Sequence, residues 1–131
     1  MSQTITPFLM FSGNAEQAIR FYVAIFEDAE IRHITRYGPG EQGAEGSVQR
    51  ADVRLAGRDF IAMDSPVTHT FGFTPALSLF VDFDSEAALD SAYKQLAEGG
   101  RELMPLDDYG FSRRFGWLDD RFGVSWQLNL A

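Results

Sequence analysis

One pattern of residues occurs twice in this chain, and a repeat of that kind restricts the fold more than any single motif. Phe11-Ser12-Gly13-Asn14-Ala15-Glu16-Gln17-Ala18-Ile19 is matched by Val81-Asp82-Phe83-Asp84-Ser85-Glu86-Ala87-Ala88-Leu89. In each copy an apolar run leads through turn and capping residues into an amphipathic stretch, which reads as a strand entering a helix. In the first copy Pro7–Phe11 is the strand, and Asn14 with Gln17 has the spacing of a capping box. Ala15, Ala18, Ile19, Tyr22 and Phe26 then recur on one helical face, with Glu16 and Arg20 paired on the wet side. Strands are expected near Glu30–Tyr37, Ser47–Leu55 and Asp59–Asp64, the last two joined by a tight turn at Ala56-Gly57-Arg58.

The second copy keeps the order. Ala76–Val81 reads as its strand, Asp84 or Ser85 as the helix cap, and Leu89, Ala92, Tyr93 and Leu96 as the buried stripe. Gly99-Gly100 ends that helix, because glycine accepts the left-handed conformation. Strands follow near Arg101–Met104, Ser112–Leu118 and Val124–Leu130. Two βαβββ modules in tandem are the simplest reading, an α+β chain with modules at about 1–66 and 75–131 in one domain.

Length and composition agree with that reading and narrow the functions. A chain of 131 residues can bury a core without metals or disulfides, and there is no cysteine to supply either a disulfide or a thiolate. The start lacks the basic and apolar segments of a signal peptide, and no apolar run is long enough to cross a membrane. A cytoplasmic protein is the expectation, with no membrane partner. A net charge of -8 repels phosphate backbones, so nucleic acid is not expected as a partner.

Several motifs have plainer readings than their text suggests. Gly38-Pro39-Gly40-Glu41-Gln42-Gly43 matches a dinucleotide-binding string, but a strand pattern follows where a helix would have to begin. His33 and His69 are the only histidines, one in a strand and one in a loop, and fit packing or surface roles. Asp107-Asp108 and Asp119-Asp120 abut turns, which favours capping over paired-carboxylate chemistry. Ser112 lacks the second glycine and the helix of a nucleophile elbow. Gln49-Arg50-Ala51-Asp52-Val53-Arg54-Leu55 alternates charge with apolar groups, so one face is packed and the other meets water or a wet cavity.

Three stretches carry a family resemblance: Ile5–Tyr22, Gly99–Leu106 and Phe115–Asn129, the last with Gly116-Trp117-Leu118-Asp119-Asp120-Arg121-Phe122-Gly123. Together they cover most of the chain and resemble PhnB-like proteins, also labelled demethylubiquinone methyltransferase-like. These form a branch of the vicinal oxygen chelate, or glyoxalase/bleomycin-resistance, superfamily. The resemblance implies that two βαβββ modules build a cupped mixed sheet with the helices outside. It also implies a homodimer, to which Phe8–Phe11 and the region of Trp117 and Trp126 would contribute apolar surface.

Metal-dependent relatives hold one divalent ion with a His, a Glu, a His and a Glu on their first, fourth, fifth and eighth strands. Those positions fall here on Pro7, near Ala62, on Ala76 and on Gln127, so the resemblance implies no metal site and no cofactor. With Pro7, Ala76 and Gln127 inward, alternation turns Leu9, Phe11, Ser78, Phe80, Ser125 and Asn129 inward too, while Leu77, Leu79 and Val81 face the helices. The expected small-molecule site then comprises Gln127, Ser78, Asp64, Arg54, Phe80 and Ser125. A binder that sequesters its ligand is the leading expectation. The alternative is a superfamily lyase, isomerase or dioxygenase whose metal site is shifted onto Asp64, Gln127 and His33 or His69. A methyltransferase is disfavoured, because the doubly wound sheet and glycine-rich turn that usually carry its cofactor are missing.

Overall fold

The computed structural model describes residues 2–131. They divide into two compact units, the first running to Thr70 and the second starting at Phe71. Each carries one helix on one four-stranded mixed sheet, so the α+β class and the doubled βαβββ order hold. In the first unit β1 (Phe8–Phe11), α1 (Ala15–Ile25), β2 (Glu30–Arg36), β3 (Val48–Leu55) and β4 (Arg58–Asp64) give the sheet order β1-β4-β3-β2. In the second, β5 (Leu79–Phe83), α2 (Glu86–Ala97), β6 (Arg101–Asp107), β7 (Arg114–Asp119) and β8 (Ser125–Leu130) give β5-β8-β7-β6. The first strand of each unit runs parallel to its last, and the other pairs are antiparallel.

The helical stripes fall where the spacing puts them, except that Phe26 lies at the C-cap of α1 and is half-buried. Ala15, Ala18, Ile19 and Tyr22 of α1 are buried, as are Leu89, Ala92, Tyr93 and Leu96 of α2. On the wet side of α1, Glu16 holds Arg20 at 2.8 Å and Arg36 of β2 at 2.6 Å. The guanidinium of Arg36, and then that of Arg20, hold the Glu16 carboxyl down at about 2.

The two helices are capped differently. Ser85 accepts from the Ala88 amide, as expected for α2. Asn14 makes no side-chain cap at α1. Asp64, 50 residues downstream of Asn14, does that work instead. One of its oxygens accepts from the amides of Gly13 and Ala15 at 2.8 and 2.9 Å, and the other from Val48 at 2.9 Å. A carboxylate at a helix N-terminus also answers the helix dipole.

At the other end of α2, Gly99 takes a left-handed φ of 72°. Gly100 is needed for a different reason: a β-carbon there would run into the Asp119 carbonyl. The turn between β3 and β4 puts both Ala56 and Gly57 at positive φ, the conformation of a tight hairpin.

Two strand ends differ from expectation. Thr74-Pro75-Ala76-Leu77 closes a turn through the Leu77 amide and the Thr74 carbonyl, so β5 begins at Leu79 and Leu77 is exposed. Proline at the second position suits such a turn. At the far edge of the second sheet, β6 continues through Pro105 to Asp107, because an edge strand tolerates a missing amide.

Sheet register decides which side chains each helix covers. In the second unit Trp126, Leu128 and Leu130 are buried beneath α2, and the Tyr93 hydroxyl of that helix donates to Glu102 at 2.6 Å. In the first unit Leu9, Phe11, Ala51, Ala62 and Asp64 share the covered face. Leu9 and Phe11 therefore pack under α1, against the expectation that they face away from it. Phe8 and Met10 take the opposite side. Trp126 likewise presents no free surface: it is buried, and its indole N–H donates to Asp120 at 2.9 Å.

Asp64→Ala would strand three amide donors, two of them buried, at the junction of α1, β3 and β4. We expect a loss of about 3 kcal/mol in urea unfolding, with Asp64→Asn falling between it and the parent. A loss below about 0.5 kcal/mol, the scale of a surface change, would show that water replaces the carboxylate.

Candidate functional site

The six residues singled out from the sequence divide between the two units. Ser78, Phe80, Ser125 and Gln127 belong to the second unit and share the sheet face turned away from α2. Arg54 lies in the first unit, on the face turned away from α1. Its guanidinium is taken up by Asp28, with both nitrogen–oxygen distances at 3.1 Å. Asp64 is on the covered face, with both oxygens occupied by backbone amides. The reason for its turning inward is that its pairing partner Phe11 packs under α1.

On the open face of the second sheet, paired positions line up across all four strands. Phe80 of β5 pairs with Gln127 of β8, that with Trp117 of β7, and that with Met104 of β6. The adjacent row runs Asp82, Asn129, Phe115, Asp107. Paired residues leave a sheet on the same side, so each row is a set of neighbours. Polar groups in these rows are tied laterally. Gln127 donates to the Ser78 hydroxyl at 2.8 Å, Asn129 to Asp82 at 3.0 Å, and the Trp117 indole to Ser125 at 2.8 Å. Side chains locked this way are positioned before any ligand arrives.

Sequence reasoning placed Phe80 on this face but did not identify the other rings beside it. Phe115 is buried at the centre, with its ring centroid 5.0 Å from Phe111, 6.1 Å from Tyr109 and 6.4 Å from Phe80. The three surrounding rings remain open: Phe80 is 55%, Tyr109 38% and Phe111 64% exposed. Tyr109 and Phe111 come from the β6–β7 loop, where no periodicity marks them. Asp108 shapes that loop by accepting the Gly110 amide at 2.8 Å.

The first unit has an open face of another character. A depression of about 310 Å³ is lined by Thr6, Arg32, Arg50, Asp52, Asp59 and Ile61. Its charges are largely self-neutralised, as Arg50 and Asp52 pair at 2.9 Å. His33 sits beside this region with its Nε2 3.1 Å from the Thr35 hydroxyl, and His69 lies 2.9 Å from the Ser65 hydroxyl.

The family's metal positions do not fit an ion here. Proline and alanine offer no side-chain donor, Ala62 is buried beneath α1, and the amide nitrogen of Gln127 already donates to Ser78. Among the described residues no three His, Cys, Asp or Glu side chains converge as metal ligands would. The glycine string at residues 38–43 lies in turns that lead into β3, with no helix to meet a pyrophosphate.

Two four-stranded mixed sheets with one helix each are the fold of glyoxalase/bleomycin-resistance/dioxygenase proteins. The glyoxylase/bleomycin resistance protein/dioxygenase domain from Frankia sp. EAN1pec superposes with a TM-score of 0.69 at 15% identity, covering 100% of this chain and 93% of that one. A family model described as 3-demethylubiquinone-9 3-methyltransferase matches residues 3–129, and the chain belongs to this PhnB-like family. A putative 3-demethylubiquinone-9 3-methyltransferase, PhnB protein, from Bacillus cereus is 50% identical over 98% of this chain and 100% of that one, with a TM-score of 0.96. Protein YjdN of Escherichia coli is 28% identical, covering 97% of this chain and 95% of its own length. No described helix is long and apolar enough to cross a membrane.

The aromatic cluster has one structural ring and several displayed ones, and unfolding should tell them apart. Phe115→Ala is expected to cost about 3 kcal/mol, as for other buried rings. Phe111→Ser should stay within about 0.5 kcal/mol of the parent, since the ring is mostly in water. Equal losses in urea melts would mean that Phe111 is a packing residue.

Proposed function

We propose that this protein binds a small organic molecule on the open face of its second sheet, without a metal at the family's ligand positions. The observation that carries the reading is the juxtaposition of exposed rings with a laterally tied set of amides and hydroxyls. Phe80, Tyr109 and Phe111 supply apolar contact, and Ser78, Gln127 and Asn129 supply fixed polar points beside it. That mixture suits recognition of one ligand. The donor set at Pro7, Ala62, Ala76 and Gln127 favours binding over metal-assisted conversion.

A methyltransferase activity is a weaker reading despite the family's description. Each sheet has a single parallel strand pair, whereas the usual methyl-donor cofactor lies across a doubly wound parallel sheet. The second reading, a metal-dependent lyase, isomerase or dioxygenase, needs a shifted ligand set. It is weakened by Asp64, whose oxygens serve three amides.

Thermal denaturation across a library of amphipathic small molecules tests the first reading. A stabiliser acting at micromolar concentration, with its effect removed by Phe80→Ala and Gln127→Ala, is the expected result. One equivalent of a transition metal retained after dialysis and lost on Gln127→Ala would instead support the enzyme.

We further propose a homodimer in solution, because Phe8 is more than half exposed on the open face of the first sheet, away from the ligand site. Light scattering after gel filtration should give twice the chain mass; the mass of one chain at high concentration would refute it.

A further inference from the structure

The open face of the second sheet carries negative charge as well as rings, and the two are interleaved. Asp82 and Asp107 occupy the ends of the row Asp82, Asn129, Phe115, Asp107, with the buried ring of Phe115 between them. Both carboxylates are exposed, and among the described residues neither enters an ion pair. Asp82 accepts one hydrogen bond, from Asn129, and Asp107 one, from the amide of Asp108. The guanidinium of Arg114 feels the charge of Asp107 but gives its hydrogen bond to Asp90 at 2.6 Å. Two carboxylates therefore retain free acceptor capacity beside the displayed rings of Phe80, Tyr109 and Phe111.

Aromatic faces are themselves centres of negative potential and attract cations. Rings flanked by carboxylates repel an anion twice over, and a neutral arene leaves the carboxylates without a partner. A flat molecule bearing a positive charge satisfies both components, stacking on the rings while its charge meets Asp82 or Asp107.

We propose that the ligand of this site is a cationic planar aromatic molecule, such as a protonated heteroaromatic amine. The inference rests on the reading that this sheet face binds a small molecule, and specifies its chemical class. Gln127 adds to it, because its amide nitrogen is given to Ser78 and its carbonyl is left to accept from the ligand's own N–H.

A charge series on one skeleton separates the class from the site. Acridine, 9-aminoacridine and acridine-9-carboxylate, titrated at mildly alkaline pH with fluorescence anisotropy as readout, present the same ring system as neutral, cationic and anionic forms. The cation should bind at least about ten-fold tighter than the neutral arene, as cation–π and carboxylate contacts together allow, and the anion weakest. Asp82→Asn with Asp107→Asn should bring the cation down to the level of the neutral form while leaving neutral binding intact. Since the net charge of -8 attracts any cation, Glu45→Gln with Glu98→Gln supplies the control of equal charge change at exposed positions elsewhere.

Equal affinity for cation and neutral arene, or an equal drop in the control variant, overturns the cationic class and leaves the small-molecule site standing. No binding by any of the three overturns both. A native mass that falls to one chain on Phe80→Ser with Phe111→Ser would show that a second copy occupies the face, which also overturns the proposal.

Discussion

The carboxylate of Asp64 accepts from Gly13, Ala15 and Val48, and three elements of the first unit meet through it. Its position at the end of β4 fixes where α1 starts, and its bond to Val48 fixes where β3 enters the sheet. The Asp64 carbonyl accepts from the Tyr37 hydroxyl at 3.1 Å, so β2 is drawn to the same point. A buried carboxylate satisfied by amides from several directions tolerates few alternative packings, because any other arrangement leaves charge or donors unpaired. The second unit solves a similar problem at a different place. Asp120 accepts from the Phe122 and Val124 amides and from the Trp126 indole, holding the turn into β8 against the core.

That role explains why part of the site could be read from sequence and part could not. In β8, Ser125-Trp126-Gln127-Leu128-Asn129-Leu130 alternates cleanly, so the open face carrying Ser125, Gln127 and Asn129 was legible in the residues alone. In β1, Phe8-Leu9-Met10-Phe11 is apolar on both faces, and alternation cannot say which side the helix covers. The register then has to come from Asp64, whose partners lie 49 and 51 residues away along the chain. An aspartate ending a strand looks like a polar point open to ligand until those amides are seen. The helical stripes needed no such help: four contacts at a spacing of 3.6 residues leave little freedom.

The aromatic cluster was hidden for a different reason. Tyr109 and Phe111 sit in a loop, where side-chain direction follows turn geometry and not a period. The Asp107-Asp108 doublet did point to a turn, and Asp108 does close one. What the doublet could not show is that Asp107 pairs with Phe115, so that its carboxylate leaves the sheet on the side of the rings. Family membership would not have supplied this either. Fold and function separate readily in such superfamilies, and chemistry is decided by the side chains of one face.

The parallel pairing of first and last strands also governs when each unit can exist during synthesis. β1 leaves the ribosome ahead of the rest of its unit, yet its hydrogen-bond partner is complete only at Asp64. β5 waits in the same way for β8. Until then an apolar strand is carried without a ladder, while the helix and the intervening hairpins can form from local contacts alone. Each unit is thus closed by its last strand, and the loop spanning that closure makes the step slow compared with hairpin formation. The nascent chain spends that interval with the apolar stretch Phe8–Phe11 unpaired, exposed to wrong associations that the finished ladder excludes.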